Sequence, residues 1–342
     1  MTNAKNKKYK IGTLGSHSAL QILKGAKDEG FENIVVCEVG KTRPYESFRV
    51  ADKILEVDSF RDVSKLEGQL VKENVIMIPH GSLFNALNLP QLTDFKVHYF
   101  GNKNVLPWEE SRTKQRQWLK KAGLTLPRIY STPDEIDGPA IIKFYGARGG
   151  KGYFLARNAH DFNNKIASHP HKEYIIQQYI VGAPVYIHYF YSPLNNELEI
   201  MGMDRRYETN VDSIGRITAK DQLDLNLESS YNIIGNTPMV VRESLLTDLF
   251  DMGERVIEAS KKIVPGGLIG PFCLETVLTP ELEFFVFEIS ARIVAGTNPY
   301  INGSPYTDLR YNEPMSTGRR IAREIKHAIE SDRLGELLLN GQ

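Results

Sequence analysis

The chain has 342 residues, too many for one simple core and about right for two or three packed units. Its apolar fraction of 41% and charged fraction of 25% are ordinary for a globular protein, and a formal net charge of zero gives no global basic field to collect nucleic acid. No apolar run approaches the ~20 residues that a bilayer span requires, so no membrane partner is expected.

The basic run at 5–10 reads as a solvated tail, and the polar N-terminus lacks the apolar stretch of a signal peptide. The only two cysteines, Cys37 and Cys273, lie in apolar strand-like runs. They give neither a disulfide framework nor a zinc spacing, so buried inert thiols and a cytoplasmic setting are expected.

The first hundred residues alternate strand and helix signals, which argues for a parallel sheet. Lys10–Leu14 reads as a strand that breaks at Gly15-Ser16-His17-Ser18. A helix follows with Leu20, Leu23 and Ala26 on one face, closed by Gly30. Further strands are expected at 33–39, 75–79 and 96–101, and a charged helix at 111–123. From about Ala140 the pattern changes to longer strands in hairpins: 140–145 with 152–156, 174–179 with 185–191, and 272–278 with 284–289. The segment 317–339 reads as a helix. The fold class is therefore α/β at the N-terminus followed by α+β units.

Three local patterns carry chemistry. In Lys143-Phe144-Tyr145-Gly146-Ala147-Arg148-Gly149-Gly150-Lys151-Gly152, four glycines in seven positions allow a sharp turn whose amides form an anion nest. Lys143, at the end of the preceding strand, can reach phosphate oxygens. The loop is neither a Walker A motif nor a Rossmann fingerprint, because strands flank it on both sides; a plain hairpin turn is the bland alternative. Second, Glu275 and Glu288 are symmetric about a turn centred between Glu281 and Leu282. In a hairpin without a bulge they face each other with Cβ atoms roughly 5 Å apart. Such a like-charged pair fits a site for Mg²⁺ between them, or a carboxylate that stays protonated, with two glutamates on a solvent face as the bland alternative. Period two adds Ser290 and Arg292 to the face of Glu288. Third, the loops Gly15-Ser16-His17-Ser18 and His80-Gly81-Ser82 follow strands of the N-terminal sheet, where open α/β sheets bind ligands. His17 and Ser82 are candidates to hold a phosphorylated substrate, with helix capping as the alternative.

The glycine loop, Gln177-Gln178-Tyr179-Ile180-Val181-Gly182 and the Glu275/Glu288 hairpin occur in an order that resembles the ATP-grasp superfamily. Gly15 to Ala26, Asp204-Arg205-Arg206-Tyr207-Glu208, Gly235-Asn236, Arg242 to Leu246, Gly270 to Glu275 and Phe287 to Asn298 extend the likeness from about Ile11 to Ile329. Over that length the chain resembles the formate-dependent 5-formaminoimidazole-4-carboxamide ribonucleotide synthetases of purine biosynthesis. The resemblance implies an ATP-grasp fold divided into a substrate-binding α/β domain at 1–108, a central unit with the glycine loop at 109–203 and a metal-binding C-terminal unit at 204–342. It implies a ligase that takes ATP, formate and aminoimidazole carboxamide ribonucleotide (AICAR) through formyl phosphate, with Mg²⁺, or Mn²⁺ in its place. Ser16, His17, Ser18, Ser82 and Asn236 would meet the ribonucleotide. Lys114, Lys143, Gly149, Gly150, Lys151, Gly152, Gln178, Tyr179 and Glu208 would serve ATP, and Glu275 and Glu288 the metal. His17, Lys143 and Arg292 would carry catalysis, in a homo-oligomer (trimer or hexamer).

Two departures from the wider pattern stand out. Ser290 stands where many ATP-grasp enzymes carry asparagine, and Phe144-Tyr145 where a proline and a histidine are expected. The competing readings are another ATP-grasp carboxylate–amine ligase, distinguished by which substrates release phosphate, and a nucleotide-sensing paralogue without turnover. A sensor has no need of a paired metal carboxylate or of Lys143.

Overall fold

The computed structural model describes residues 8–144, 153–170, 173–208, 211–225 and 232–339. Strands β1 (Lys10–Leu14), β2 (Asn33–Glu38), β3 (Lys53–Val57), β4 (Val75–Met77) and β5 (His98–Tyr99) form a parallel sheet in the order β3-β2-β1-β4-β5. β1 and β2 are almost wholly buried, so they read as apolar runs. β3 escaped the sequence reading because it lies at the edge and is only partly buried. The expected strand at 96–101 splits: its last residues form β6 (Gly101–Asn102), which pairs elsewhere.

The helix Ala19–Asp28 buries Ile22, Leu23 and Ala26 and exposes the Lys24–Asp28 pair. Gly30, at φ 84°, ends it in the left-handed conformation that a side chain disfavours. The helix Arg112–Lys121 starts on the Ser111 hydroxyl, which accepts from the Lys114 amide, and buries Trp118.

Strands β7 (Ile129–Tyr130), β8 (Ala140–Phe144), β9 (Tyr153–Ala156) and β10 (Tyr174–Gln178) make an antiparallel sheet, β7-β10-β8-β9, with its own small core around Ile142, Phe162 and Ile176. Strands β11 (Ala183–Ser192), β12 (Glu197–Glu208), β13 (Ile233–Met239), β14 (Gly270–Leu278) and β15 (Phe284–Ser290) make a second one, β13-β12-β11-β14-β15. β16 (Leu338–Leu339) pairs with β6. Two expectations change here. β10 and β11 are not a hairpin, because they belong to different sheets. The boundary expected at 203/204 falls inside the continuous strand β12, so the passage between the two antiparallel sheets is the short link after Gln178.

The C-terminal helix Thr317–Glu330 is shorter than expected and returns to the N-terminal sheet. It crosses Ala19–Asp28 at two glycines. A Cβ on Gly25 would lie 2.3 Å from the Arg319 nitrogen, and one on Gly318 would lie 2.3 Å from the Gln21 carbonyl oxygen. Buried Glu29 then binds Arg319, Arg323 and Lys326 of that helix. A second buried group joins Arg320 to Glu199 and Glu324. Among the described residues no helix is long and apolar enough to cross a membrane.

Gly318→Ala should destabilise the protein by roughly 1–3 kcal/mol, because backbone atoms cannot yield as a side-chain tip can. Gly68→Ala is the control, since a Cβ there meets nothing within 4 Å. It should leave the melting temperature unchanged or raise it slightly. Equal melting temperatures for the two variants would show that the helix contact is not tight.

Candidate active site

The parallel sheet reverses its strand order between β1 and β4, and the loops after these two strands meet there. A Cβ on Gly15 would fall 2.6 Å from the Cys37 sulfur, so the turn needs glycine. His17 takes φ 57°. Its Nδ1 lies 2.9 Å from the Ser18 hydroxyl, and its backbone oxygen accepts from Asn298 Nδ2 at 2.9 Å. The His17 ring stacks on His80, with centroids 5.2 Å apart and planes 5° from parallel.

His80 is sealed in protein and its tautomer is fixed by its neighbours. Nε2 faces the Leu14 carbonyl oxygen at 3.0 Å and must donate, while Nδ1 accepts from the Ser82 amide at 3.2 Å. Burial pushes the His80 imidazole down to about 4. The cleft around His17 lowers that imidazole to about 3, through loss of solvation first and then the charges of His80, Arg292 and Arg206. His17 is therefore a neutral imidazole near pH 7, able to accept a hydrogen bond or a proton. The stacked rings of His17 and His80 bring the loop of Ser16, His17 and Ser18 beside the loop of Ser82. Ser18 is almost fully buried behind His17, while Ser16 and Ser82 are half-exposed.

Glu275 and Glu288 are paired across β14 and β15, but not through the unbulged hairpin that the sequence suggested. The turn is centred on Glu281, with Leu278 opposite Phe284 and Leu282 at φ 65°. Continued without interruption, that register would set Glu275 against Phe287. A bulge between Thr276 and Glu275 admits Phe287 as an extra residue and brings Glu288 opposite Glu275. Glu275 is buried and ion-paired with Arg206 of β12, whose guanidinium lies 4.1 Å from the Tyr186 ring centroid. Glu288 lies on the open side of the cleft. The charge of Glu275, then lost solvation, pushes its carboxyl up to about 7, against Arg206, Arg112 and Arg292.

Lys143, on β8, is close enough to Arg112 and Glu288 for both to affect it. Burial is the first cause that lowers its ammonium, followed by Arg112, while Glu288 acts in the opposite sense. Its Nζ reaches Gln177 Oε1 at 3.5 Å. Gln177 shares the face of Lys143, since Ile175 pairs with Lys143. Gln178 turns to the other face, where its Oε1 accepts from the Arg128 amide. Gln177 therefore accompanies Lys143, a neighbour that the sequence reading did not name. Gly149, Gly150, Lys151 and Gly152 lie outside the described residues.

Arg292 shares the Glu288 side of the cleft but is not free to roam. Its Nε lies 2.9 Å from Oε1 of buried Glu109, a charge contact without hydrogen-bond alignment, and its guanidinium lies 5.2 Å from the Phe84 ring centroid. Burial raises the Glu109 carboxyl, and Arg292 opposes that rise. A cavity of about 180 Å³ opens between Phe84, Leu106, Glu109, Gln115, Glu288 and Arg292. Asn236, on β13, donates from Nδ2 to Asp204 at 2.7 Å, on the sheet face that carries Arg206 and Glu275. Glu208 is half-buried at the end of β12, and Tyr179 is exposed just after β10. Lys114 is exposed on the first turn of its helix, and no contact among the described residues joins its ammonium to the rest.

Arg112 and Glu109 were missed in the sequence, and His80 and Arg206 were named only as part of longer segments. Alternation in Asp204-Arg205-Arg206-Tyr207-Glu208 could have put Arg206 on the carboxylate face. No local pattern announces Glu109, whose partner lies 183 residues away.

Comparison with known proteins extends this geometry. Residues 11–130 match a family model described as "Protein of unknown function (DUF1246)", and residues 157–339 one described as "Domain of unknown function (DUF1297)". A 5-formaminoimidazole-4-carboxamide-1-(beta)-D-ribofuranosyl 5'-monophosphate synthetase of Pyrococcus abyssi is 55% identical over 338 residues, covering 96% of this chain and 98% of that protein. The protein of that name from Methanocaldococcus jannaschii is 45% identical over 340 residues, covering 96% and 94%. The crystal structure of an IMP biosynthesis protein PurP from Thermococcus kodakaraensis superposes with a TM-score of 0.78 at 28% identity, covering 96% of this chain and 99% of that one. An N5-carboxyaminoimidazole synthetase from Staphylococcus aureus complexed with ADP has a TM-score of 0.65 at 16% identity, covering 95% and 80%, and shares the ATP-grasp fold. The chain belongs to the family of 5-formaminoimidazole-4-carboxamide-1-(beta)-D-ribofuranosyl 5'-monophosphate synthetases.

Proposed function

We propose that this chain uses ATP to join formate to the 5-amino group of AICAR, in the cleft between the His17 loop and the Glu275/Glu288 hairpin. The observation that carries this reading is the facing pair Glu275 and Glu288, ringed by Lys143, Arg112, Arg206 and Arg292. Family membership supports the reaction, and the chain is an ATP-dependent ligase.

The chemistry explains why such a cleft is needed. Formate cannot lose oxide, so one of its oxygens attacks the γ-phosphorus of ATP, and the bond to ADP breaks. The 5-amino nitrogen then attacks the formyl carbon, the carbon–oxygen bond to phosphate breaks, and the amine gives up a proton. Lys143 and Arg112 face the phosphates and offset charge as the phosphoryl group moves. Neutral His17 orients the ribonucleotide or accepts the amine proton. Arg292, anchored by Glu109, sits between the two.

The carboxylates fit a divalent cation, because two like charges are held face to face and Glu288 is destabilised as an anion. Glu275 and Glu288 would hold Mg²⁺, or Mn²⁺, which would neutralise phosphate charge. Among the described residues no three His, Cys, Asp or Glu groups converge, so phosphate oxygens and water would complete the shell. The exposed apolar residues Ile233 and Ile234 on edge strand β13 are consistent with the expected homo-oligomer.

Incubation with MgATP, formate and AICAR should yield ADP, phosphate and a product heavier by one formyl group. Lys143→Ala should cut turnover roughly 100-fold or more and weaken ATP binding in a folded protein. His17→Ala should raise the KM for AICAR more than that for ATP. A folded Lys143→Ala variant with unchanged ATP affinity would remove that lysine from the site.

The two glutamates should differ in the metal-free protein. The Glu288 carboxyl titrates above its ordinary 4.5, so its stability contribution is complete below pH 4.5 and is lost as pH rises through about 7. Glu288→Gln should abolish that loss and leave the metal-free protein as stable at pH 8 as wild type, or more so. Glu275→Gln should instead lower stability, because it leaves Arg206 without its buried partner. Both changes should cut turnover and raise the magnesium requirement. The checks are melting curves across pH without metal and a magnesium titration of turnover; indistinguishable pH profiles for wild type and Glu288→Gln would refute the strained pair.

A further inference from the structure

Behind the cleft lies a buried pair that neither the sequence reading nor the chemistry above uses. His188 of β11 and Asp204 of β12 are 2% and 1% exposed, and His188 Nε2 lies 2.8 Å from Asp204 Oδ1. The other carboxylate oxygen, Oδ2, accepts from Asn236 Nδ2. Gly296 roofs the pair: a Cβ there would lie 2.2 Å from Asp204 Oδ1 and 2.7 Å from His188 Nε2. The same loop carries Asn298, which holds the His17 carbonyl.

His188 Nδ1 is sealed from solvent and has no hydrogen-bond partner among the described residues. A proton on Nδ1 would be a buried donor with nothing to accept it, which costs more than an idle lone pair. The ring therefore carries its proton on Nε2 and donates it to Asp204. An ionised carboxylate offers acceptors only, so Asp204 must also receive from Asn236. That fixes the orientation of the Asn236 amide, whose oxygen and nitrogen are told apart by the hydrogen bonds they make. Its nitrogen turns inward, and its oxygen Oδ1 is left for the half-buried outer side.

We infer that Asp204, held by His188, is a positioning residue that makes Asn236 present a hydrogen-bond acceptor to an N–H or O–H donor of the acceptor ribonucleotide. This rests on the reading that Asn236 meets that substrate. A side-chain amide at 236 with the opposite orientation would offer N–H groups, which repel the donor it should recognise. The pair thus contributes to substrate choice without touching substrate.

The test exchanges the two groups. In Asp204→Asn, the new amide oxygen still accepts from His188, but the new NH₂ faces Asn236 and turns the 236 amide around. The KM for AICAR should rise about tenfold or more, with the KM for ATP and for formate within about threefold of wild type. In the double variant Asp204→Asn/Asn236→Asp, the asparagine at 204 donates to the aspartate at 236, whose second oxygen again faces outward. Most of the AICAR affinity should return. A wild-type KM in Asp204→Asn overturns the inference, as does a rise in all three KM values together. If Asp204→Asn does not fold, the double variant decides alone: a folded protein with near-wild-type KM for AICAR supports positioning, whereas a raised KM or failure to fold makes the pair merely structural. Wild-type enzyme that forms no formylated AICAR would instead count against the functional reading itself, so the two failures are separable.

Discussion

Two like charges facing each other across paired strands govern this molecule. Left alone, Glu275 and Glu288 would weaken the sheet that carries them. The fold answers by giving them different surroundings. Glu275 is buried against Arg206, which in turn lies over Tyr186. Glu288 opens to the cleft and meets Arg112, Lys143 and Arg292 only at longer range. One carboxylate is thereby held by a buried ion pair, and the carboxyl of the other is pushed up to about 7. A cation, or a ligand that brings one, relieves the strain that the bulge at Phe287 creates.

The bulge has a second effect, because the chain that leaves β15 goes on to build the other half of the cleft. Ile293 bridges to His80, Gly296 closes over His188 and Asp204, and Asn298 holds the His17 carbonyl. Gln21, buried in the first helix, donates to both Thr297 and Asn298 and accepts from the Gly318 amide. About a dozen residues after the turn thus touch the carboxylate pair and the histidine loops and, through Gln21, connect to the C-terminal helix. The chemistry is placed where two sheets of opposite design meet. The parallel sheet supplies loops at its switch point, and the antiparallel sheet supplies a face of alternating charged side chains.

Much of this was legible in the sequence, and the reasons for the gaps are physical. Alternating strand and helix signals gave the N-terminal sheet because buried parallel strands are apolar throughout. β3 was lost because an edge strand carries polar residues. The glutamate pair was found for an incomplete reason: the turn centre was misjudged by half a residue, and a bulge restored the expected partners. A bulge leaves no mark in local composition, so period-two counting cannot see it. Gln177 was not singled out, because adjacent residues of a strand differ only in the face they take, which the strand's neighbours decide. Glu109 acts through Arg292, far along the chain, and the pairing of His188 with Asp204 depends on the register of β11 against β12, which local composition does not announce. The glycine-rich loop was the plainest signal, and it lies outside the described residues.

The cleft also joins units with separate cores. The sheet around β8 packs on Ile142, Phe162 and Ile176, whereas the sheet around β14 shares a large core with Trp118 and the helix Leu246–Ile263. The parallel sheet, by contrast, is locked to the C-terminal helix at Gly25 and Gly318 and by the Glu29 cluster. Lys143 therefore belongs to one packed unit, and Glu288 and His17 to others that are tied together. The distance from Lys143 to the carboxylates is set by how the units are joined, not by the rigidity of either sheet. On the proposed reading, a polyanion between them would add attraction on both sides at once, to Lys143 from one unit and, through a divalent cation, to Glu275 and Glu288 from the other. Its binding energy would then help fix that distance, which neither core fixes alone. The loops of His17 and His80 need no such help, because their rings are already stacked and held by main-chain contacts.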